Sequence, residues 1–200
     1  MSSRKSTGVI RQLGVAAGAL LLLLGLSVPQ AQADTGPLRL RNAITPYCVG
    51  LPGDGSNPGA KAITEDCDSG GSNRYWTFQN TNLVDYFGRP TFVIANNATP
   101  GQCLDIPDLG APHSGDIVGM YGCNKTRYDN QEFIKYYPYA NDDRFALQSV
   151  KDLNLCLDVS GWAYNGSDWG SLQSITMYPC TGTGGPWTNY PWDDHLWYQW

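Results

Sequence analysis

Gln102-Cys103-Leu104-Asp105, Met120-Tyr121-Gly122-Cys123 and Asn130-Gln131-Glu132-Phe133 stand in the middle of this 200-residue chain, and their order decides the fold. The same order occurs upstream as Tyr47-Cys48-Val49-Gly50, Asp66-Cys67 and Asn73-Arg74-Tyr75-Trp76. It occurs again downstream as Leu155-Cys156-Leu157-Asp158, Met177-Tyr178-Pro179-Cys180 and Asp194-His195-Leu196-Trp197. The first cysteines of successive units lie 55 and 53 positions apart, and the separations within units are 19, 20 and 24. Repetition on this scale means one supersecondary unit used three times.

Each unit reads as strands. The β-prone runs Leu38–Arg41, Thr91–Ala95 and Arg144–Val150 precede the first cysteines, and the closes run on as Trp76-Thr77-Phe78 and Phe133-Ile134-Lys135-Tyr136. Clusters of Gly, Asn, Asp and Pro separate these runs, which is turn chemistry. No segment after residue 33 keeps a helical 3.6 period. The expectation is an all-β domain of about twelve short strands, four per unit, with units near 38–84, 90–139 and 143–200. Six cysteines allow fifteen pairings. The repeats favour Cys48 with Cys67, Cys103 with Cys123 and Cys156 with Cys180, one staple per unit. Each such crosslink is worth about 3 kcal/mol.

The chain before the repeats has a different composition. Arg4, Lys5 and Arg11 precede an apolar run from Leu13 to Val28, and Ala31-Gln32-Ala33 offers a small-x-small cleavage site. That order predicts a secretory signal peptide over residues 1–33, a mature domain over 34–200 and a secreted, extracellular protein. A membrane anchor is the other reading, for which the apolar run is short. Export implies an oxidising compartment, which suits disulfides better than a metal site or reactive thiol. Residues 34–200 hold ten basic against eighteen acidic residues, a net charge of −8. Nucleic acid and anionic membranes reward clustered Lys and Arg, so neither is expected as a partner.

The Cys-Leu-Asp opening, the aromatic two residues before the second cysteine and the Asn-Gln-x-aromatic close resemble the ricin B-type lectin repeat with its "QxW" signature. The resemblance covers Thr45 to Trp200. It implies a β-trefoil, a six-stranded barrel capped by three hairpins, with Trp76, Phe133 and Trp197 in the shared core. It also implies a carbohydrate-binding module acting on a glycan or polysaccharide. In such a site an aromatic ring takes the apolar face of the sugar. A carboxylate accepts from adjacent hydroxyls, and an amide both donates and accepts.

The resemblance assigns Asp105, Tyr121 and Asn130, with Gln131 beside them, as the site of the middle repeat. Gly119 departs from the pattern there, where such lectins often carry Gln. The third repeat offers Asp158 and Tyr178, with Asp194 and His195 replacing Asn and Gln and Thr176 in the place of Gly119. Two carboxylates there repel unless hydroxyls or a cation separate them. The first repeat has Gly50 for the Asp and Glu65 for the aromatic, so it lacks both acceptor and platform. The bland readings are that the aspartates tie down their own turns and that the tyrosines are half-buried strand residues. Trp162, Tyr164, Trp169, Trp187, Tyr190 and Trp192 lie in two insertions of the third unit, as an extended stacking surface or as packing.

An enzyme is not expected. His113 and His195 are the only histidines, and the acid pairs Asp142-Asp143 and Asp193-Asp194 lie in turn-rich sequence. A trefoil that binds protein, as an inhibitor or toxin component with degenerate sugar sites, is the alternative, because fold alone does not decide function. No cofactor or metal is called for. Sequons at Asn97, Asn124 and Asn165 carry glycans only in a host that glycosylates secreted proteins.

Overall fold

β-prone runs bounded by turn residues set the strands, and the repeats set their arrangement. The computed structural model describes residues 33–53, 55, 57–127, 129–160, 172–180 and 194–200. The body of the expected leader, the six aromatic residues of the third-unit insertions and Asn165 lie outside them. The first repeat contains β1 (Thr35–Leu38), β2 (Leu40–Asn42), β3 (Tyr47–Gly50), β4 (Ile63–Asp66) and β5 (Trp76–Val84). The second contains β6 (Pro90–Asn96), β7 (Gln102–Asp105), β8 (Gly119–Gly122) and β9 (Phe133–Tyr136). The third contains β10 (Phe145–Ser149), β11 (Leu155–Val159), β12 (Ile175–Pro179) and β13 (Leu196–Gln199). A three-residue 3-10 turn at Ser72–Arg74 is the one helical piece among the described residues.

Among the described residues thirteen strands replace the expected twelve, because the opening strand is broken at Arg39. Its first half, β1, pairs with β5, and its second half, β2, pairs with β13. At the break, Arg39 and Trp200 exchange backbone hydrogen bonds of 2.8 and 2.9 Å. The broken strand thereby closes a barrel whose other members are β5, β6, β9, β10 and β13. The hairpins β3–β4, β7–β8 and β11–β12 each branch from a barrel strand, β3 from β2, β7 from β6 and β11 from β10. They meet in a closed ring of three backbone hydrogen bonds, each 2.9 Å long. Ala62 donates to Val118, Val118 to Ile175, and Ile175 back to Ala62. Six barrel strands and three hairpins joined in a ring are the trefoil architecture that the resemblance implied.

The core follows the same threefold logic. Trp76, Phe133 and Trp197 are wholly buried. Trp76 Nε1 donates to the Val49 carbonyl at 2.9 Å, and Trp197 Nε1 donates to that of Leu157 at 3.1 Å. In both cases the acceptor is the residue after the unit's first cysteine, so one hydrogen bond ties each hairpin to the barrel. Phe133 has no N–H to offer there. The three disulfides pair as the repeats favoured, with Cα separations of 5.0, 4.9 and 5.0 Å, and no cysteine is left free.

Asparagines join one repeat to the next. Asn96 Nδ2 donates to the Asn73 carbonyl at 3.0 Å, and Asn42 Nδ2 to that of Asp194 at 2.7 Å. At another place in the barrel, Phe78 meets Phe92 and Phe145 edge-on, with centroids 6.0 and 6.2 Å apart. Lys135 Nζ lies 3.8 Å from the Phe78 ring centre and 5.4 Å from the other two. Burial pulls the lysine down to about 8 from its ordinary 10.5. Lys135 follows Phe133 by two positions, as Phe78 follows Trp76, so a cation stands where the first repeat has a ring.

Candidate functional site

Strand alternation places the middle-repeat residues. On β8 Met120 points into the core and Tyr121 points out, 62% exposed. In register across β7 and β8, Cys103 faces Tyr121 and Asp105 faces Gly119. The Cys103–Cys123 bond fixes the two strands beside the ring. Asp105 ends β7 and is partly exposed. Its Oδ1 accepts from Gln131 Nε2 at 3.0 Å, and no described residue donates to Oδ2. Asp105 therefore does not tie down its own turn, and Tyr121 is not a half-buried strand residue.

Gln131 is buried and fully engaged. Nε2 also donates to the Gly122 carbonyl at 2.9 Å, while Oε1 accepts from Asn124 N–H at 2.8 Å. It is a clamp that orients Asp105 and joins the hairpin to the close. Asn130 is buried as well, and its Nδ2 donates to the carbonyls of Pro107 and Asp108 at 3.3 and 2.7 Å. That amide shapes the loop after β7 from beneath, and its oxygen has no hydrogen-bond partner among the described residues.

Burial raises Asp105 to about 6, the Gln131 hydrogen bond holds it back, and the nearby Asp129 charge adds to the rise. Asp129 was not legible as part of the site. It directly precedes the amide pair, and that adjacency is the signal that finds it. Gly119 has a packing reason of its own: a Cβ there would come within 3.3 Å of the Ala60 carbonyl oxygen. A Gln side chain at this place would crowd the neighbouring hairpin.

No protein-family model matches the chain, and no curated protein does. Solved structures do. A designed threefold-symmetric protein, ThreeFoil, superposes with a TM-score of 0.59 at 18% identity, over 81% of this chain and 96% of its own. The Rhizoctonia solani agglutinin superposes with a TM-score of 0.56 at 14% identity, over 84% of this chain and 93% of its own. The hemolytic lectin CEL-III gives 0.54 at 22% identity over 84% of this chain, which spans 30% of that protein. The fold is a β-trefoil.

The other two repeats of the trefoil fill the corresponding place differently. In the first, Glu65 occupies the position of Tyr121 and is buried. Its Oε2 lies 2.8 Å from Arg74 Nε, a contact whose angle is not that of a hydrogen bond, and 3.3 Å from Asn73 Nδ2, which donates to it. Gly50 leaves room for this pair: a Cβ there would come within 2.6 Å of Glu65 Oε2 and would push the carboxylate aside. Asn73 also donates to the Leu51 and Gly53 carbonyls, much as Asn130 does to the loop after β7. The first-repeat place is thus filled by its own ion pair.

In the third repeat Asp158 is buried, and Thr176 Oγ1 donates to its Oδ2 at 3.2 Å. Oδ1 lies 3.6 Å from His195 Nε2, and Asp194 Oδ1 lies 3.3 Å from His195 Nδ1. Burial raises Asp158 above its ordinary value, while the His195 charge and hydrogen bonds from Asp194, Thr176 and the Val159 backbone lower it. Tyr178 is 51% exposed, its ring centre 6.1 Å from that of the imidazole. The sequence expected Asp194 near Asp158 as a second carboxylate, and gave His195 only as a replacement for Gln. The structure brings both against Asp158, and gives Thr176 a hydrogen bond to it.

Proposed function

We propose that this protein is a secreted, non-catalytic carbohydrate-binding module whose working site is the middle repeat. The single observation that supports this is a partly exposed carboxylate, Asp105, with one oxygen clamped by Gln131 and the other without a described donor, on the same hairpin as the exposed Tyr121. Sugar hydroxyls donate to the open oxygen, and the tyrosine ring takes the C–H face. Asn130 serves by holding the loop after β7 in shape. The third repeat, with Asp158 and Tyr178, is the weaker sugar site on this reading, because both oxygens of Asp158 face groups of the protein.

Residues 1–33 act as the export signal, and the three disulfides with no free thiol fit an oxidising compartment. One shallow site binds weakly, so a polymer or dense surface glycan is the ligand that gives useful affinity. The test is a glycan and polysaccharide array with the oxidised protein beside Asp105→Ala. Binding that disappears in the variant supports the site. Equal binding by a folded variant sinks it.

A protein-binding trefoil is the second reading, favoured by the Glu65–Arg74 pair that fills the first repeat. A folded protein that stays silent across a broad array, and that captures a protein partner through the trefoil face, supports that reading instead.

A further inference from the structure

Asp158, Asp194 and His195 differ from the middle repeat in chemistry as well as identity. There the close offers two neutral amides, and Gln131 donates to Asp105 at 3.0 Å. Here the two positions carry a carboxylate and an imidazole, and the equivalent contact, His195 Nε2 to Asp158 Oδ1, widens to 3.6 Å. A 3.6 Å separation is too long for a good hydrogen bond. It is near the spacing of two atoms that share a small metal ion: bonds of about 2.0–2.2 Å at tetrahedral angles leave ligand atoms roughly 3.3–3.6 Å apart.

One ligand atom from each of the three residues falls in a group whose members all lie within 4.8 Å of one another, and all three residues are buried. Once an ion displaces the imidazolium proton and the proton held between Asp158 and Asp194, two carboxylates and a neutral imidazole leave about two negative charges in a poorly solvated place, which a divalent cation neutralises. The cluster also has the outer partner expected of a metal site. Thr176 Oγ1 donates to Asp158 Oδ2, leaving Oδ1 turned to the imidazole. The Cys156–Cys180 bond and the five-residue β11–β12 register hold Asp158 and Thr176 rigidly, and Asp194-His195 enters directly into β13.

We propose that Asp158, Asp194 and His195 form a binding site for a divalent transition-metal ion of the zinc kind. One imidazole nitrogen with two carboxylate oxygens selects such an ion over calcium or magnesium, which prefer all-oxygen shells of higher number. Three protein ligands leave a fourth position to water. No thiol competes, because all six cysteines are in disulfides. The proposal stands apart from the sugar site at Asp105, which has its own readout.

The experiment is calorimetric titration of the oxidised, chelator-treated protein with zinc at pH 7.5. Cobalt serves as a spectroscopic probe, and calcium as a control. One equivalent of zinc, with a raised melting temperature that chelator reverses, is the expected result. Asp194→Asn with His195→Gln installs the Asn-Gln pair of the middle repeat in the third. It is expected to abolish that equivalent and the four- or five-coordinate cobalt spectrum, with the near-UV signature of the fold retained. Asp158→Asn is the second variant, and His113→Gln, altering the exposed histidine, is expected to change nothing. Zinc binding that survives the double variant, calcium bound in its place, or no zinc bound by the folded protein each overturns the proposal.

Discussion

Asp105 sets the pH behaviour at the residue scale. Its carboxyl is pushed up to about 6 from an ordinary 3.8, chiefly because it is partly buried. A protonated carboxyl loses an acceptor and the charge that strengthens its bonds to hydroxyls. Glycan affinity is therefore expected to fall as pH drops through about 6, measured by titration between pH 5 and 8. Stability moves the other way. The raised folded value means that the contribution of Asp105 is fully present below about 4 and is lost as pH rises through about 6. Affinity that stays flat across this window, in a protein that binds, removes Asp105 from the site. Lys135 gives a second test. Its value is depressed to about 8, so the fold carries the cost of a buried ammonium below that pH and is relieved of it between about 8 and 10.5. The Phe78, Phe92 and Phe145 rings return part of the cost through attraction to the cation. Lys135→Met is expected to stabilise the protein by about 1–2 kcal/mol at pH 7, and to remove the rise in stability above pH 8. Denaturant melts at pH 7 and 10 measure both, and a less stable variant at pH 7 shows that the ring attraction outweighs the desolvation.

At the scale of elements, each hairpin is stapled across its own two strands by a disulfide and, in two repeats, tied to the barrel by an indole hydrogen bond. Trp76→Phe makes the first repeat imitate the middle one and leaves the buried Val49 carbonyl without its side-chain donor. A loss of about 1–3 kcal/mol is expected in thermal or denaturant unfolding. A change within error means that the Phe133 arrangement costs nothing, and that the indole N–H is incidental. The elements also show where reading the sequence stops. β-prone runs bounded by Gly, Asn, Asp and Pro located the barrel strands to within a few residues, because turn chemistry is local. The break between β1 and β2 was not legible. Nothing in Leu38-Arg39-Leu40 marks it. It arises because one strand serves two partners, β5 and β13, and the Arg39–Trp200 hydrogen bonds sit at the crossing.

Across the whole molecule, three equivalent places have taken three chemical states: an ion pair in the first repeat, an open carboxylate in the second, and an Asp-Asp-His cluster in the third. This inequality is itself testable. Gly50→Asp alone is expected to clash with Glu65 and Arg74 and to destabilise the fold. Combined with Glu65→Tyr and Arg74→Gln, it removes the pair and rebuilds the middle-repeat site in the first repeat. The triple variant is expected to bind a polymeric glycan more tightly, by on the order of 10²-fold, with little change for the monosaccharide. Surface plasmon resonance on immobilised polysaccharide measures this. An unchanged avidity, in a folded variant, means that the three residues do not suffice.

The sequence by itself determined the threefold repeat, the all-β class and the pairing of Cys48 with Cys67, Cys103 with Cys123 and Cys156 with Cys180, while the burial of Trp76, Phe133 and Trp197 came from the resemblance. The repeat, the class and the pairing are local or periodic properties: β-prone runs between turns, and a spacing that recurs. Only the tertiary structure decided what each candidate polar side chain does. Gln131 and Asn130 are adjacent in the chain and alike in chemistry, yet one clamps Asp105 and the other holds up the loop after β7. Glu65 fills one site with Arg74, and Asp158 faces His195 and Thr176, through contacts between β3–β4 or β11–β12 and the closes of their units. A polar side chain's role is set by the donors and acceptors that the packed chain leaves unsatisfied around it, and those come from segments distant in sequence.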